Sequence, residues 1–427
     1  MARGGGRGRA GGTVNARRLR ILYLHQYFQT RKDYGITRSY EMSRHLVRQG
    51  HEVTVITGNR SYQSGAVVRR GEGRWLNEES IDGIRVISVE VFFSYRRSFI
   101  HRAGAFAVYW LLSLWASLRS GPADIVFATS PPLTAGLAGI IVALLKRARF
   151  VFEVRDLWPE VIEELGVVRS RPVLAALDLM ARLSYRCACT IVAVTPGIRR
   201  WLVERRGLPQ AKVELVTQGA DLDLFEGGAR QEARAELGFR DEFIVLYAGA
   251  MGRANNLSVV VEAAARLPSE IVLLLIGEGM EKAGLQELAE RLGARNARFL
   301  PGLPRKEVAR HLAAADVGLV SLRPLEVFGT ALPNKFFDYI AAGLPVVATF
   351  PGDLAELVER EGIGVGAGAG DPARLAAVIA DFRADEGRRQ TMGLRARELA
   401  EGRFCRAAQC EVFERVLLDA CSSGGVT

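Results

Sequence analysis

A chain of 427 residues is too long for one ordinary hydrophobic core and points to two or three domains. With 49% hydrophobic and 24% charged residues it is neither a disordered tail nor a fibrous repeat, but has the balance of a folded globular enzyme. The formal net charge of +10 owes much to the Gly/Arg start, Met1 to Arg20, with six Arg and no acid; the mildly basic remainder suits phosphorylated substrates or an anionic membrane face and does not call for nucleic acid.

The first 18 residues read as a disordered basic leader, because RGG-type RNA-binding segments interleave aromatics and this stretch has none. No apolar h-region with a small-residue cleavage site follows it. Residues 20–25 form a short apolar run ending at a Gln-Tyr-Phe-Gln-Thr loop, as a buried strand does. Residues 38–49 carry helical spacing closed by Gly50, and 51–57 is a second strand, so the chain opens with a βαβ unit. Further strands at 84–89, 125–128, 150–154 and 190–194 alternate with helices. They extend the unit into a doubly wound α/β domain over 19–226.

Two uncharged stretches lie in this half, 103–118 and 125–145. The first is 16 residues long and Pro131-Pro132 breaks the second, whereas a membrane span needs ~20 apolar residues. The first stretch places Phe106, Tyr109, Trp110, Leu114 and Trp115 near one face, flanked by Arg96, Arg97, His101, Arg102 and Arg119. That pattern fits an interfacial helix on a cytoplasmic leaflet and equally a helix packed on the sheet. Five cysteines, Cys187, Cys189, Cys405, Cys410 and Cys421, show no C-x-x-C spacing. Reduced thiols are expected, with Cys187 and Cys189 in the core and no metal bound.

The chain turns polar and Gly-rich over 227–241, which reads as a linker. Strands at 243–249, 271–276, 298–300, 317–320 and 346–348 then alternate with helices in a second α/β domain over 242–402. Within 403–427, an amphipathic helix over 407–421 is expected to cross back to the first domain. The glycines over 362–370 alternate too regularly for a dinucleotide loop, and Asp371-Pro372 is better read as a helix cap and first-turn pair.

A nucleoside diphosphate held between two α/β domains needs cations, open helix N-termini and glycines at strand ends. The second domain offers Gly249, Arg253 and Asn255 after one strand and Gly277-Glu278-Gly279 after the next. It adds Arg323 after Ser321, and Asn334-Lys335 where a helix begins before Phe336, Phe337, Asp338 and Ile340. Each alone reads equally well as a surface cation or a turn glycine; agreement at four strand ends is harder to obtain by accident.

These motifs resemble glycosyltransferase family 4, retaining nucleotide-sugar transferases of the GT-B fold, over nearly the whole chain. More narrowly, the chain is similar to O-antigen and capsule transferases of the N-acetylfucosamine type. The resemblance rests on Gly35-Ile-Thr-Arg38, Ala128-Thr-Ser-Pro-Pro132, Phe152-Glu-Val-Arg-Asp-Leu-Trp-Pro-Glu160 and Gln218-Gly-Ala-Asp221 in the first domain. In the second it rests on Tyr247-Ala-Gly249, Ile276-Gly-Glu-Gly279, Ala314-Ala-Asp-Val317 and Leu332-Pro-Asn-Lys-Phe-Phe-Asp-Tyr339. Many relatives carry two glutamates with seven residues between them; here Asp338 matches the second and Thr330 stands at the first. Arg155-Asp156 stands where the wider family often has His-Asp.

The resemblance implies a donor domain and an acceptor domain facing a cleft, and transfer of a hexose-type sugar, N-acetylated or deoxy, from a nucleotide diphosphate sugar. It implies Arg253, Lys335 and Asp338 as catalytic residues. The donor set is Gly249, Asn255, Gly277, Glu278, Gly279, Arg323 and Asn334, with Asp338 on the ribose and Glu278 near the nucleoside. The acceptor set is His25, Gly35, Arg38, Arg155 and Asp156. No cofactor and no metal are expected, because a cation clamp stabilises the leaving diphosphate and a donor phosphate oxygen takes the acceptor proton. The partners implied are the nucleotide sugar, a polyprenyl-diphosphate-linked saccharide and the inner face of the plasma membrane, with no nucleic acid. A nucleotide-sugar epimerase of the same fold and a non-catalytic nucleotide-sugar-binding protein are the alternatives.

Overall fold

The computed structural model describes residues 18–33, 37–60, 67–69, 75–92, 99–225, 230–368 and 370–422, the side chains of 99, 100, 102 and 103 excepted. Gly35, Arg96, Arg97, the Arg102 side chain and nearly all of the basic leader lie outside the described residues.

The first domain is an eight-stranded sheet of order β3-β4-β2-β1-β5-β6-β7-β8. Its strands are β1 (Arg20–Leu24), β2 (Glu52–Gly58), β3 (Leu76–Ile81), β4 (Ile84–Val89), β5 (Ile125–Ser130), β6 (Arg149–Val154), β7 (Thr190–Ala193) and β8 (Val213–Leu215). All pairs are parallel except β3 with β4. Sequence periodicity misses β3 because it is a polar edge strand, exposed at Glu78, Glu79 and Ser80. Its signal is the Asp82-Gly83 turn, where both residues sit at positive φ as a two-residue hairpin requires.

Helices α1 (Arg38–Arg48), α2 (Phe99–Arg119), α3 (Leu133–Lys146), α4 (Glu160–Glu164), α5 (Arg171–Cys187) and α6 (Pro196–Glu204) complete this half. One face of the sheet, through Leu22, Val126 and Phe152, packs on Tyr109, Ala138 and Tyr185 of α2, α3 and α5. The other, through Ile21, Tyr23 and Phe127, packs on Met42 of α1. Strands apolar on both faces are what a parallel sheet covered by helices demands.

The second domain has six parallel strands, β9 (Phe243–Ala248), β10 (Ile271–Ile276), β11 (Ala297–Leu300), β12 (Val317–Val320), β13 (Val346–Ala348) and β14 (Gly364–Gly366), in the order β11-β10-β9-β12-β13-β14. Its helices are α7 (Arg230–Glu236), α8 (Leu257–Ala264), α9 (Lys282–Leu292), α10 (Arg305–Ala314), α11 (Asn334–Ala341), α12 (Asp353–Arg360), α13 (Pro372–Ala384) and α14 (Glu386–Gly402). The alternating glycines contain β14, an edge strand, and Asp371 caps α13 by accepting from the amides of Ala373 and Arg374. Helix α7 lies inside the segment read as linker, because Ala233 and Phe239 bury against this domain.

The last helix, α15 (Arg406–Ser422), crosses back to the first domain. Phe413 meets Phe127 edge-on at 5.0 Å, and Glu414 accepts from His45 at 2.8 Å and His51 at 3.1 Å. The outgoing and returning strands of chain are stitched at Ala220, whose carbonyl accepts from the Arg406 amide at 3.1 Å. Cys187 and Cys189 are exposed, against the expectation of core packing; Cys410, on the inner face of α15, is the buried cysteine.

Candidate active site

The carboxyl ends of both sheets meet at the cleft between the domains. On the second domain, β9 and β10 end in loops so close that a Cβ on Gly277 would lie 1.8 Å from the Gly249 carbonyl oxygen. One on Gly279 would lie 2.1 Å from that of Met251. Only glycine permits this approach, and the paired loops form a shallow cradle. Lys335, in the first turn of α11, reaches into it: a Cβ on Gly249 would touch its Cε at 3.0 Å. Pro333 at the helix start supplies no side-chain cap; the Phe336 amide donates to the Pro333 carbonyl at 2.9 Å, and the Asn334 and Lys335 amides have no backbone acceptor among the described residues.

Lys335 is half-buried, with its Nζ 4.1 Å from the Tyr247 ring centre and 3.5 Å from Asn255 Oδ1. No carboxylate pairs with it among the described residues, and burial pushes its ammonium down to about 7. A cation stripped of water and given only a ring face and a long amide contact is poised for an anion. Arg253 and Arg323 stand exposed on the rims, drawn together by the Arg323 amide donating to the Ala254 carbonyl at 2.8 Å. Glu278 accepts from Lys282 Nζ at 3.0 Å and the Gly302 amide at 3.3 Å, which fixes the loop after β10.

Asp338, one turn below Lys335, is already in an ion pair: its Oδ1 accepts from Arg305 Nη2 at 2.7 Å. The same nitrogen donates to Asp221 at 2.9 Å, and Arg406 donates to Asp221 at 2.8 Å. Burial pushes the Asp221 carboxyl up, but Arg406, Arg305 and Arg31 together pull it down to about 2. Burial raises the Asp338 carboxyl against the pull of Arg305. Sequence reasoning found Asp338 and missed Arg305, which falls in no motif; Asp221 was visible only as the end of Gln218-Gly-Ala-Asp221.

On the first domain, His25 after β1 and Arg155 and Asp156 after β6 line a cavity of about 330 Å³, closed from the second domain by Asn334, Thr330 and Leu332. The structure brings His25, Arg155 and Asp156 to one cavity. Arg38 is not among them. It is 1% exposed, its Nε donates to Glu153 at 2.9 Å, and Nη1 and Nη2 donate to the carbonyls of Thr217 and Val216. Its guanidinium is consumed inside the domain, so Arg38 is a structural residue and not an acceptor contact.

Thr330 has a different task from a glutamate at that place. Its Oγ1 donates to the Val327 carbonyl at 2.8 Å, and its own carbonyl accepts from Thr195 Oγ1 of the first domain at 2.7 Å. Gly197 at the start of α6 lets the domains touch here, since a Cβ would lie 2.7 Å from Thr330 Cα. Arg200–Asp353 and Arg205–Glu326 ion pairs extend the same contact.

Two family models match this chain, a glycosyl transferase 4-like domain over residues 35–219 and a glycosyl transferases group 1 domain over 229–399. The chain is 26% identical over 359 residues to the Escherichia coli K12 protein named as a colanic acid biosynthesis glycosyl transferase, WcaI, covering 80% of this chain and 86% of that one. Among solved structures it is similar to sucrose-phosphate synthase from Thermosynechococcus elongatus, with a TM-score of 0.76 at 19% identity over 95% of this chain and all of that one. It is also similar to Anabaena HepE in complex with UDP and glucose, with a TM-score of 0.70 at 18% identity over 95% of this chain and all of that one. With two facing Rossmann-like sheets, a returning last helix and both family models in register with them, the chain belongs to the GT-B glycosyltransferases.

Proposed function

We propose that this protein is a retaining transferase that moves a hexose-type sugar, in the N-acetylated or deoxy class of the N-acetylfucosamine-type enzymes, from a UDP-sugar to a lipid-linked saccharide in polysaccharide biosynthesis. The observation that carries the reading is Lys335, half-buried in a glycine cradle with no carboxylate partner among the described residues. HepE, of the same fold, was solved with UDP and glucose, and the name of WcaI places that relative in a polysaccharide pathway.

In this reading the diphosphate lies across Gly249, Gly277 and Gly279, its charge met by Lys335, Arg253 and the α11 amides, with Arg323 beside them. The bond from the anomeric carbon to the phosphate oxygen breaks and one to the acceptor oxygen forms on the same sugar face. The acceptor proton passes to a leaving phosphate oxygen, so no protein base is required. Charge stabilisation of this kind is worth on the order of a hundredfold to a thousandfold in turnover per donor group. Nucleotide release measured over a panel of UDP-sugars, with and without a lipid-linked saccharide extract, tests it. Release that depends on the extract supports transfer, whereas donor interconversion without it would identify an epimerase.

For the membrane side, the aromatics of α2 turn inward: Tyr109 is buried with its hydroxyl on the Ile56 carbonyl at 3.0 Å, and Trp110 and Leu114 pack on the core. Exposed leucines instead gather along the adjoining outer faces of α2, α3 and α5, at Leu111, Leu118, Leu144, Leu145 and Leu179, among Arg119, Lys146, Arg147 and Arg186. Among the described residues no helix is long and apolar enough to cross a membrane. Apolar tips ringed by cations suit the surface of an anionic leaflet and support the reading of an enzyme at the inner face of the plasma membrane. Leu144→Asp with Leu145→Asp should abolish co-sedimentation with phosphatidylglycerol vesicles; unchanged partitioning would remove this face from the reading.

A further inference from the structure

Arg155 makes no ion pair among the described residues, although its charge draws the neighbouring Asp156 carboxyl down against the rise that burial causes. It is the first residue beyond β6, pinned by its amide donating to the Ser130 carbonyl at 3.2 Å, and its side chain lines the interdomain cavity. Nη1 donates to His25 Nε2 at 3.3 Å, and His25 Nδ1 lies 2.7 Å from Ser39 Oγ. An imidazole that accepts from a guanidinium is neutral at that nitrogen, and burial, with Arg155 and Arg69 nearby, holds His25 well below its ordinary range. The partner of Arg155 is therefore uncharged. By contrast Arg38 ends on Glu153, Arg305 on Asp221 and Asp338, and Arg406 on Asp221.

Asp156, next in sequence, lines the same cavity but makes no ion pair with Arg155 among the described residues. Gln218, 5% exposed, also lines it, and its Oε1 has no partner. With Nη1 held by His25, the Nε and Nη2 edge of Arg155 has no acceptor among the described residues. That edge is the planar fork that meets carboxylate or phosphate oxygens two at a time.

We propose that Arg155, oriented by His25, binds an anionic group of a substrate in this cavity. Two sources share that chemistry: a carboxylate on the donor sugar, as in a uronic acid, and a phosphate of the acceptor. The inference rests on the transferase reading and names the chemistry of one of its subsites. His25 is a positioning residue, since it reaches the anion only through the guanidinium.

The test is calorimetry on the full chain with UDP-glucose, UDP-glucuronate and geranyl diphosphate, comparing the wild type with Arg155→Gln and Arg155→Lys, each first checked for an unchanged melting curve. A charge-assisted pair of hydrogen bonds is worth about tenfold to a hundredfold in affinity. If the anion comes from the donor, UDP-glucuronate binds better than UDP-glucose by that factor, and the ratio collapses in Arg155→Gln. If it comes from the acceptor, geranyl diphosphate loses that factor instead while the donor ratio stays near one. Arg155→Lys, which keeps the charge but not the fork, recovers part of the effect in either case. Binding of UDP-glucose with neither anion changed by more than about twofold in Arg155→Gln overturns this inference alone. Failure of every UDP-sugar to bind would count against it and the transferase reading together.

Discussion

Lys335 supplies a pH signature that a merely structural lysine would lack. In the free protein its ammonium sits at about 7 against an ordinary 10.5, because burial removes water and no carboxylate among the described residues replaces it. That gap corresponds to about 5 kcal/mol of solvation lost by the charged form, which a diphosphate in the cradle would restore. Above about 7 the free protein has shed the proton, whereas the complex keeps it, so binding draws one proton from solution. Affinity for UDP-glucose should be nearly constant below about pH 7 and fall roughly tenfold for each pH unit above it. Calorimetry from about pH 6 to about pH 8.5, in two buffers of different ionisation enthalpy, reads both the affinity and the proton uptake. UDP-glucose is the right probe, because its diphosphate is esterified at both ends and does not titrate in this range. Uptake should approach one proton at the alkaline end and vanish in Lys335→Met. A flat profile in the wild type, or the same slope in Lys335→Met, would refute the assignment.

Gly277→Ala should weaken UDP-glucose binding by about tenfold to a hundredfold, because the new methyl collides with the Gly249 carbonyl, while Gly252→Ala, with nothing within 4 Å, serves as the control. Arg38→Met should cost about 3–5 kcal/mol of stability by stranding Glu153, read as a lowered urea midpoint. If the folded variant instead showed an unchanged midpoint and a raised acceptor KM, Arg38 would return to the acceptor site. Asp221→Asn should destabilise at neutral pH by a smaller amount, about 2–3 kcal/mol. Because the folded carboxyl lies at about 2 against an ordinary 3.8, the contribution of Asp221 is complete above about pH 4 and fades as the pH falls toward 2, so urea unfolding of wild type and variant should converge in acid. A gap that stays constant with pH would show that the loss is steric.

Much of the architecture is legible in local patterns. Apolar runs such as Phe243 to Ala248 and Ile271 to Ile276, each followed by small residues and then a helix, admit little except parallel α/β sheets. The strand-end glycines and Lys335 are legible for the same reason, since the carboxyl edge of such a sheet is where ligands bind. What misleads is residue type read without its partner. Arg38 and Arg155 are both arginines near strand or helix ends in the first domain, and nothing local tells them apart. Arg38 meets Glu153, 115 positions away, and disappears into the fold; Arg155 donates to a histidine 130 positions away and makes no ion pair among the described residues.

The sequence by itself therefore determined the two facing α/β domains, the returning helix and the glycine cradle at the strand ends, because periodicity, turn chemistry and strand-end glycines act over a few residues. Tertiary structure alone decided the pairing of Asp338 with Arg305, the use of Thr330 as an interdomain contact and the turning inward of the α2 aromatics. Each of these depends on which distant group arrives within hydrogen-bond reach and how much water it displaces, and neither quantity is written in the neighbouring residues.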